Sequence, residues 1–311
     1  MAEDQKKPDY TDSDWSELIR DREKKWLIMY DYLHEHGIEK TYLWDSTEKI
    51  PFYDKDKNTS SAGNAIQDAP SLAILPIIPG KGIVIICAGG GFRFKSANEA
   101  IDIAEAFHDA GINAAILDYR HYPYGQEASS ADGLRAIRWI RFHAEELGID
   151  SKHIGFGGFS AGGILTSLVN TSFDNGNPEA EDVVERESSR PDACFQMYGS
   201  FSNFLDDSGV NARLGFSFEQ QAVYAHNDIL LNLPLDLPPM FIAETDADNP
   251  DSPLSMAKAY KDRGIPFEIH IFHGGPHGGG LFNGKNEDSP LFPHTAHWMG
   301  LCCEWFKMYG F

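Results

Sequence analysis

The sequence predicts an α/β fold: a mostly parallel central sheet with helices on both faces. Two observations carry that prediction. From residue 81 onward, short apolar or β-branched runs alternate with longer runs of helical period, and the stretch Ile83–Cys87, IVIIC, is apolar throughout, as a strand buried on both faces must be. Strands separated by helices imply right-handed crossovers and hence a parallel sheet.

Taken in order, residues 13–36 form a charged helix-like stretch, 54–69 a polar piece, and Pro76 and Pro79 lead into the first strong strand. The reading divides the chain into an N-terminal helical extension, residues 1–43, and one α/β domain, residues 44–311, the region before residue 80 also supplying edge strands. Strands follow at Ile83–Cys87, 114–118, 154–158, 193–198, Met240–Thr245 and Phe267–Phe272. Helices are expected at 98–110, 131–147 (stopped by Gly148), 160–170, 253–263 and 295–308. Residues 173–190, rich in Asn, Glu, Asp and Ser without apolar period, predict an exposed loop. No repeat of 20 to 50 residues is visible.

Composition narrows the partners. With 26 Lys and Arg against 47 Asp and Glu, the net charge of −21 repels phosphate backbones and anionic lipid, which argues against nucleic acid and membrane surfaces. The first residues, MAEDQKKPDY, hold no apolar core of a leader peptide, and no run reaches the length of a membrane span, so a cytoplasmic protein is expected. Cys87, Cys194 and the adjacent Cys302 and Cys303 fit neither a disulfide framework nor a CxxC metal pattern; reduced thiols and no metal are expected.

The chemistry concentrates at Gly158-Phe159-Ser160-Ala161-Gly162. This GxSxG string ends a predicted strand and opens a predicted helix, the context in which a sharp, strained turn lifts one hydroxyl clear of a sheet and leaves no room for flanking side chains. The following helix directs its first amides, that of Ala161 among them, at the same point. After the first strong strand, Cys87-Ala88-Gly89-Gly90-Gly91-Phe92 supplies side-chain-free residues whose N–H groups face a substrate oxygen; Gly90 and Gly91, with Ala161, are the candidate oxyanion donors. Neither GxxxxGK[ST] nor GxGxxG is present, which weighs against phosphate or dinucleotide binding.

A nucleophilic serine needs a base and an acid to orient it, and the order Ser, acid, His is met twice over. The strand Met240–Thr245 ends in Glu244-Thr245-Asp246-Ala247-Asp248, and the last strand is followed by His273-Gly274-Gly275-Pro276-His277. His277 stands in a Gly/Pro-rich loop with His273 as its rival; Asp246 rivals Asp248.

With these residues in hand, the chain resembles the acetyl xylan esterase-like, BD-FAE-like branch of the α/β-hydrolases, from about Trp44 to the C-terminus. Cys87-Ala88-Gly89-Gly90-Gly91-Phe92 is similar to that family's CPGGGY, with alanine at 88 for proline. Leu117-Asp118-Tyr119-Arg120, and Ala136 to Ile140 running through Glu146-Leu147-Gly148-Ile149-Asp150 to the GxSxG string, complete the likeness. The resemblance implies Ser160 as nucleophile, His277 as base from a PHG motif and Asp248 as acid, three residues past Thr245; Asn249-Pro250 stands where relatives place Val-Pro. It implies hydrolysis of short acyl esters, acetyl on sugars above all, without cofactor. An amidase or peptidase on the same residues, or a binding protein that has lost turnover, are the alternatives. Among aromatic residues, Phe92 and Phe159 are the candidate substrate contacts nearest Ser160, with Phe94, Phe201, Phe204, Phe216, Phe218 and Tyr224 further out.

Overall fold

The computed structural model describes residues 12–54, 69–199 and 233–311. An eight-stranded sheet runs through them in the order β1-β2-β4-β3-β5-β6-β7-β8. Its strands are β1 (Lys40–Tyr42), β2 (Ser71–Ile74), β3 (Ile83–Cys87), β4 (Asn113–Asp118), β5 (Ile154–Phe159), β6 (Ala193–Met197), β7 (Met240–Thr245) and β8 (Phe267–Phe272). From β4 to β8 every pairing is parallel; β2 lies antiparallel to β4, and β1 antiparallel to β2. Met240–Thr245 and Phe267–Phe272 are strands over the spans the sequence predicts. A short hairpin, β9 (Asn283–Asn286) and β10 (Ser289–Leu291), stands apart from the sheet.

Successive side chains of β3 point to opposite faces, as a strand's must: Ile83, Ile85 and Cys87 enter one buried cluster, Val84 and Ile86 the other. The first cluster is closed by α3 (Gln126–Phe142) and α5 (Ala161–Ser172), through Ile137, Ile140, Leu165 and Val169, and by α6 (Asp251–Arg263) through Met256 and Tyr260. The second is closed by α1 (Asp12–Glu35), α2 (Ile101–Asp109) and α7 (His297–Met308). The short α4 (Ala144–Leu147) ends at Gly148, whose φ of 73° is the left-handed stop its sequence position suggests.

Two segments outside the alternation of strands and helices are tied into the fold. Trp26, Met29 and Leu33 of α1 are buried in the second cluster, and burial at about 1.5–3 kcal/mol per large apolar side chain makes that helix a working part of the core. Tyr30 also donates its hydroxyl to Asp118 Oδ2 at 2.5 Å, at the end of β4, and β1 hydrogen-bonds into the sheet. Residues 12–43 therefore share the sheet and the core with the chain beyond Trp44. The segment 173–190 carries no strand or α-helix, yet it is pinned: Arg138 grips Asp174 and the Glu187 carbonyl, Arg141 bonds the Ser188 carbonyl and Asp192, and Ser189 is buried. Arginines three apart on one face of α3 made this possible and had no apolar pattern to betray it.

Candidate active site

Five chain segments meet where the parallel strands end. Ser160 links β5 to α5 with φ 49° and ψ −115°, a conformation that a non-glycine residue holds only when its surroundings impose it. The surroundings are tight. A Cβ at Gly158 would stand 2.4 Å from the Cys87 carbonyl oxygen, and one at Gly162 2.1 Å from it, so the elbow closes against the end of β3 only because both are glycine. Ser160 N–H donates to the Met197 carbonyl at 3.1 Å and Ile164 N–H to the Ser160 carbonyl at 2.9 Å, which fixes both sides of the turn.

Ser160 Oγ lies 2.8 Å from His277 Nε2, and His277 Nδ1 hydrogen-bonds Asp248 Oδ2. The carboxylate only accepts, so Nδ1 carries the proton and Nε2 is left as an acceptor for the serine hydroxyl. Loss of hydration disfavours the imidazolium of His277, but the hydrogen bond and charge of Asp248, with the charge of Glu99, outweigh it and hold the pKa above the ordinary 6.5. The imidazole side chain is 49% exposed, so solvent and substrate reach it. Such a chain of groups can draw the proton from the serine as its oxygen attacks an electrophile.

The rival residues pair with each other. His273 Nδ1 donates to Asp246 Oδ2 at 2.6 Å, and Gly274 N–H to Asp246 Oδ1 at 2.8 Å; His273 is 93% exposed and its partner keeps its pKa raised.

Gly89 brings the glycine loop beside the serine: a Cβ there would stand 2.8 Å from Ser160 Cβ. Gly90 follows at φ 134° and Gly91 at φ 60°, and the Gly90 carbonyl accepts from the Arg93 and Phe94 amides, folding the loop into a turn. Ala161 opens α5, where first-turn amides lack intrahelical acceptors.

The two aromatic candidates lie elsewhere. Phe159 is 0% exposed and ringed by Phe195, Tyr198 and Trp298 at centroid distances of 5.6–5.7 Å, on the buried side of β5. Phe92 is 2% exposed, its ring edge-on to Tyr119. Both are core side chains: Phe159 ends β5 with its ring in the second cluster, and Phe92, in the turn after β3, packs into the first. Phe94 is buried as well. Phe201, Phe204, Phe216, Phe218 and Tyr224 lie outside the described residues.

Three groups were not singled out by their sequence. Glu99 is buried with two hydrogen-bond donors aimed at it, Tyr198 at φ 39° packs its ring 5.0 Å from that of His277, and Glu244 is buried at the end of β7. Burial, then the charge of Asp248, pushes the Glu244 carboxyl up to about 8. An acid inside the apolar run Met240–Thr245 is the one local signal among them. Among the described residues, no group of three or more His, Cys, Asp or Glu is arranged to hold a metal, no helix is long and apolar enough to cross a membrane, and all four cysteines are free and buried.

Sheet order and elbow together define an α/β-hydrolase. The chain belongs to the BD-FAE family, whose model matches residues 79–250. It is 30% identical to a structurally characterised acetyl ester-xyloside bifunctional hydrolase from Caldicellulosiruptor lactoaceticus, with a TM-score of 0.73 over 88% of this chain and 97% of that one. A butyrate-bound esterase from Thermogutta terrifontis is 25% identical, with a TM-score of 0.61 over 88% and 95%. Endo-1,4-beta-xylanase B of Butyrivibrio fibrisolvens is 27% identical over 208 residues, 63% of this chain; the match spans 32% of that longer relative.

Proposed function

We propose that this protein is a serine esterase that removes short acyl groups, acetyl foremost, from small esters such as acetylated sugars or oligosaccharides. The observation that carries the reading is the hydrogen-bonded line from Ser160 through His277 to Asp248. Ser160 Oγ attacks the ester carbonyl while His277 Nε2 takes its proton, and Asp248 holds the tautomer and stabilises the imidazolium that forms. The tetrahedral oxyanion is received by the amides of Gly90, Gly91 and Ala161; each such donor is typically worth about 2.7–4 kcal/mol in the transition state. His277 then hands the proton to the departing alcohol, and water repeats the cycle to release the acid.

The preference for small acyl groups on sugars is supported by what the similar proteins are named for: an acetyl ester-xyloside hydrolase, a butyrate-bound esterase and a xylanase. The test is kcat/KM on p-nitrophenyl acetate, butyrate, octanoate and palmitate, with acetylated xylo-oligosaccharides and a peptide amide alongside. The expected profile peaks at the short esters and includes deacetylation of the sugar. A maximum at octanoate or beyond overturns the short-acyl reading, a faster amide the esterase reading, and absence of sugar deacetylation the carbohydrate assignment. Ser160→Ala is expected to abolish every activity.

A further inference from the structure

One buried carboxylate ties the oxyanion loop to the loop of the base, and no step of the acyl transfer uses it. Glu99 ends the single 3-10 turn Ala97–Glu99 that follows the glycine loop, and it is 1% exposed. Its Oε2 accepts the Gly89 N–H at 2.7 Å, and its Oε1 accepts the Tyr198 hydroxyl at 2.7 Å. The same tyrosine oxygen accepts the Gly280 N–H at 2.9 Å, three residues past His277. Next to it, Asn98 donates Nδ2 to the Gly278 carbonyl at 3.1 Å and to the Asp288 carbonyl at 2.7 Å.

The polarity of this bridge admits one assignment. Gly280 N–H fills a lone pair of the Tyr198 oxygen, so the hydroxyl proton goes to Glu99; the Gly89 amide also donates. Both partners are donors, and an acceptor-only carboxylate answers both. A glutamine at 99 has one acceptor oxygen and would turn its NH2 toward a donor.

We infer that Glu99 is a positioning residue for acyl transfer: it fixes the height of the Gly89–Gly91 loop against Ser160 and, through Tyr198, the seat of His277. The inference rests on the roles proposed for Ser160 and His277. Its charge acts in the same direction, since Glu99 is among the groups that favour the protonated imidazole, the state His277 passes through when the oxyanion stands in the hole. Binding of the ground-state ester gains little from either effect, so the loss on substitution belongs in kcat.

The test compares the full chain with Glu99→Gln, Tyr198→Phe and Ser160→Ala by steady-state kinetics on p-nitrophenyl acetate, the pH profile of kcat/KM, and Tm. Expected for Glu99→Gln is a fall in kcat of about 10- to 100-fold with KM changed less than about threefold, and an acid limb moved to lower pH. Tyr198→Phe keeps the ring on His277 and removes only the hydroxyl; a smaller fall in kcat, about 3- to 10-fold, is expected, and it carries the test if Glu99→Gln does not fold. A Tm change with kcat, KM and acid limb at wild-type values would mean a packing role and overturn the inference. Activity surviving in Ser160→Ala would overturn the nucleophile assignment instead.

Discussion

Asp246 and His273 hydrogen-bond to each other at 2.6 Å, two residues up the chain from Asp248 and four from His277, which form a second pair of the same kind. Two Asp–His pairs thus bridge the ends of β7 and β8, and among the described residues only the second reaches Ser160. The first anchors the turn out of β8, through the Gly274 amide as well. Asp248→Asn is expected to cut kcat by orders of magnitude, up to about 10⁴-fold, because an amide there favours the wrong tautomer. Asp246→Asn should lower it by less than about tenfold. Parallel kcat measurements decide; equal effects would assign both pairs to structure alone.

The pH dependence follows from His277. The base must be neutral to act, and its pKa lies above 6.5, so the acid limb of kcat/KM is expected above pH 6.5. Asp248→Asn removes the main group raising that pKa, so its residual activity should show an acid limb at lower pH. A limb that stays in place would exclude Asp248 as the partner of the titrating group.

Glu244 makes a stability prediction. Its carboxyl titrates near 8 in the folded protein against 4.5 for an unhindered one. Below 4.5 both states hold the proton and the residue costs nothing; between 4.5 and about 8 the unfolded chain has released its proton while the folded one keeps it, so stability falls across that window and the loss is complete once pH has passed 8. Glu244→Gln keeps an acceptor for the Thr245 amide, which now donates to Glu244 Oε1 at 2.8 Å, and cannot ionise. It should stabilise the protein at pH 8 by on the order of a few kcal/mol and leave it unchanged near pH 4. Chemical denaturation at both pH values checks this, and a stabilisation of equal size at each would point to packing instead.

Glycines at two places should behave oppositely. Gly162→Ala drives a methyl into the Cys87 carbonyl, which is backbone and has nowhere to go, so loss of stability of at least about 1–3 kcal/mol and of activity together is expected. Gly300, exposed within α7, has open space where its Cβ would be, and Gly300→Ala should stabilise by about 0.5–1 kcal/mol at unchanged kcat. Thermal melts of the two variants side by side are sufficient.

The strands and the elbow were legible because their signals are local: an apolar run, a glycine pattern, a left-handed stop at Gly148. The order of serine, acids and histidines was legible too, but which acid faces which histidine depends on the register of β7 against β8, and residues two apart cannot be separated by chain order. Phe159 shows a further limit, since bulk beside a serine looks like a pocket wall until strand alternation turns it inward. Glu99 and Tyr198 stand 99 residues apart and meet through one hydrogen bond, a relation with no trace in either one's neighbours.

The groups assigned to acyl transfer arrive by way of an edge. His277 lies beyond β8, which among the described residues pairs with β7 alone and ends the sheet, 117 residues from the serine it serves. Contacts of such long sequence separation are costly to close and form late when a chain collapses. The elbow is built within β5 and α5, but its base is supplied from beyond β8; during refolding, return of turnover is therefore expected to require docking of this edge strand, whose Phe272 enters the second cluster, as well as formation of the elbow.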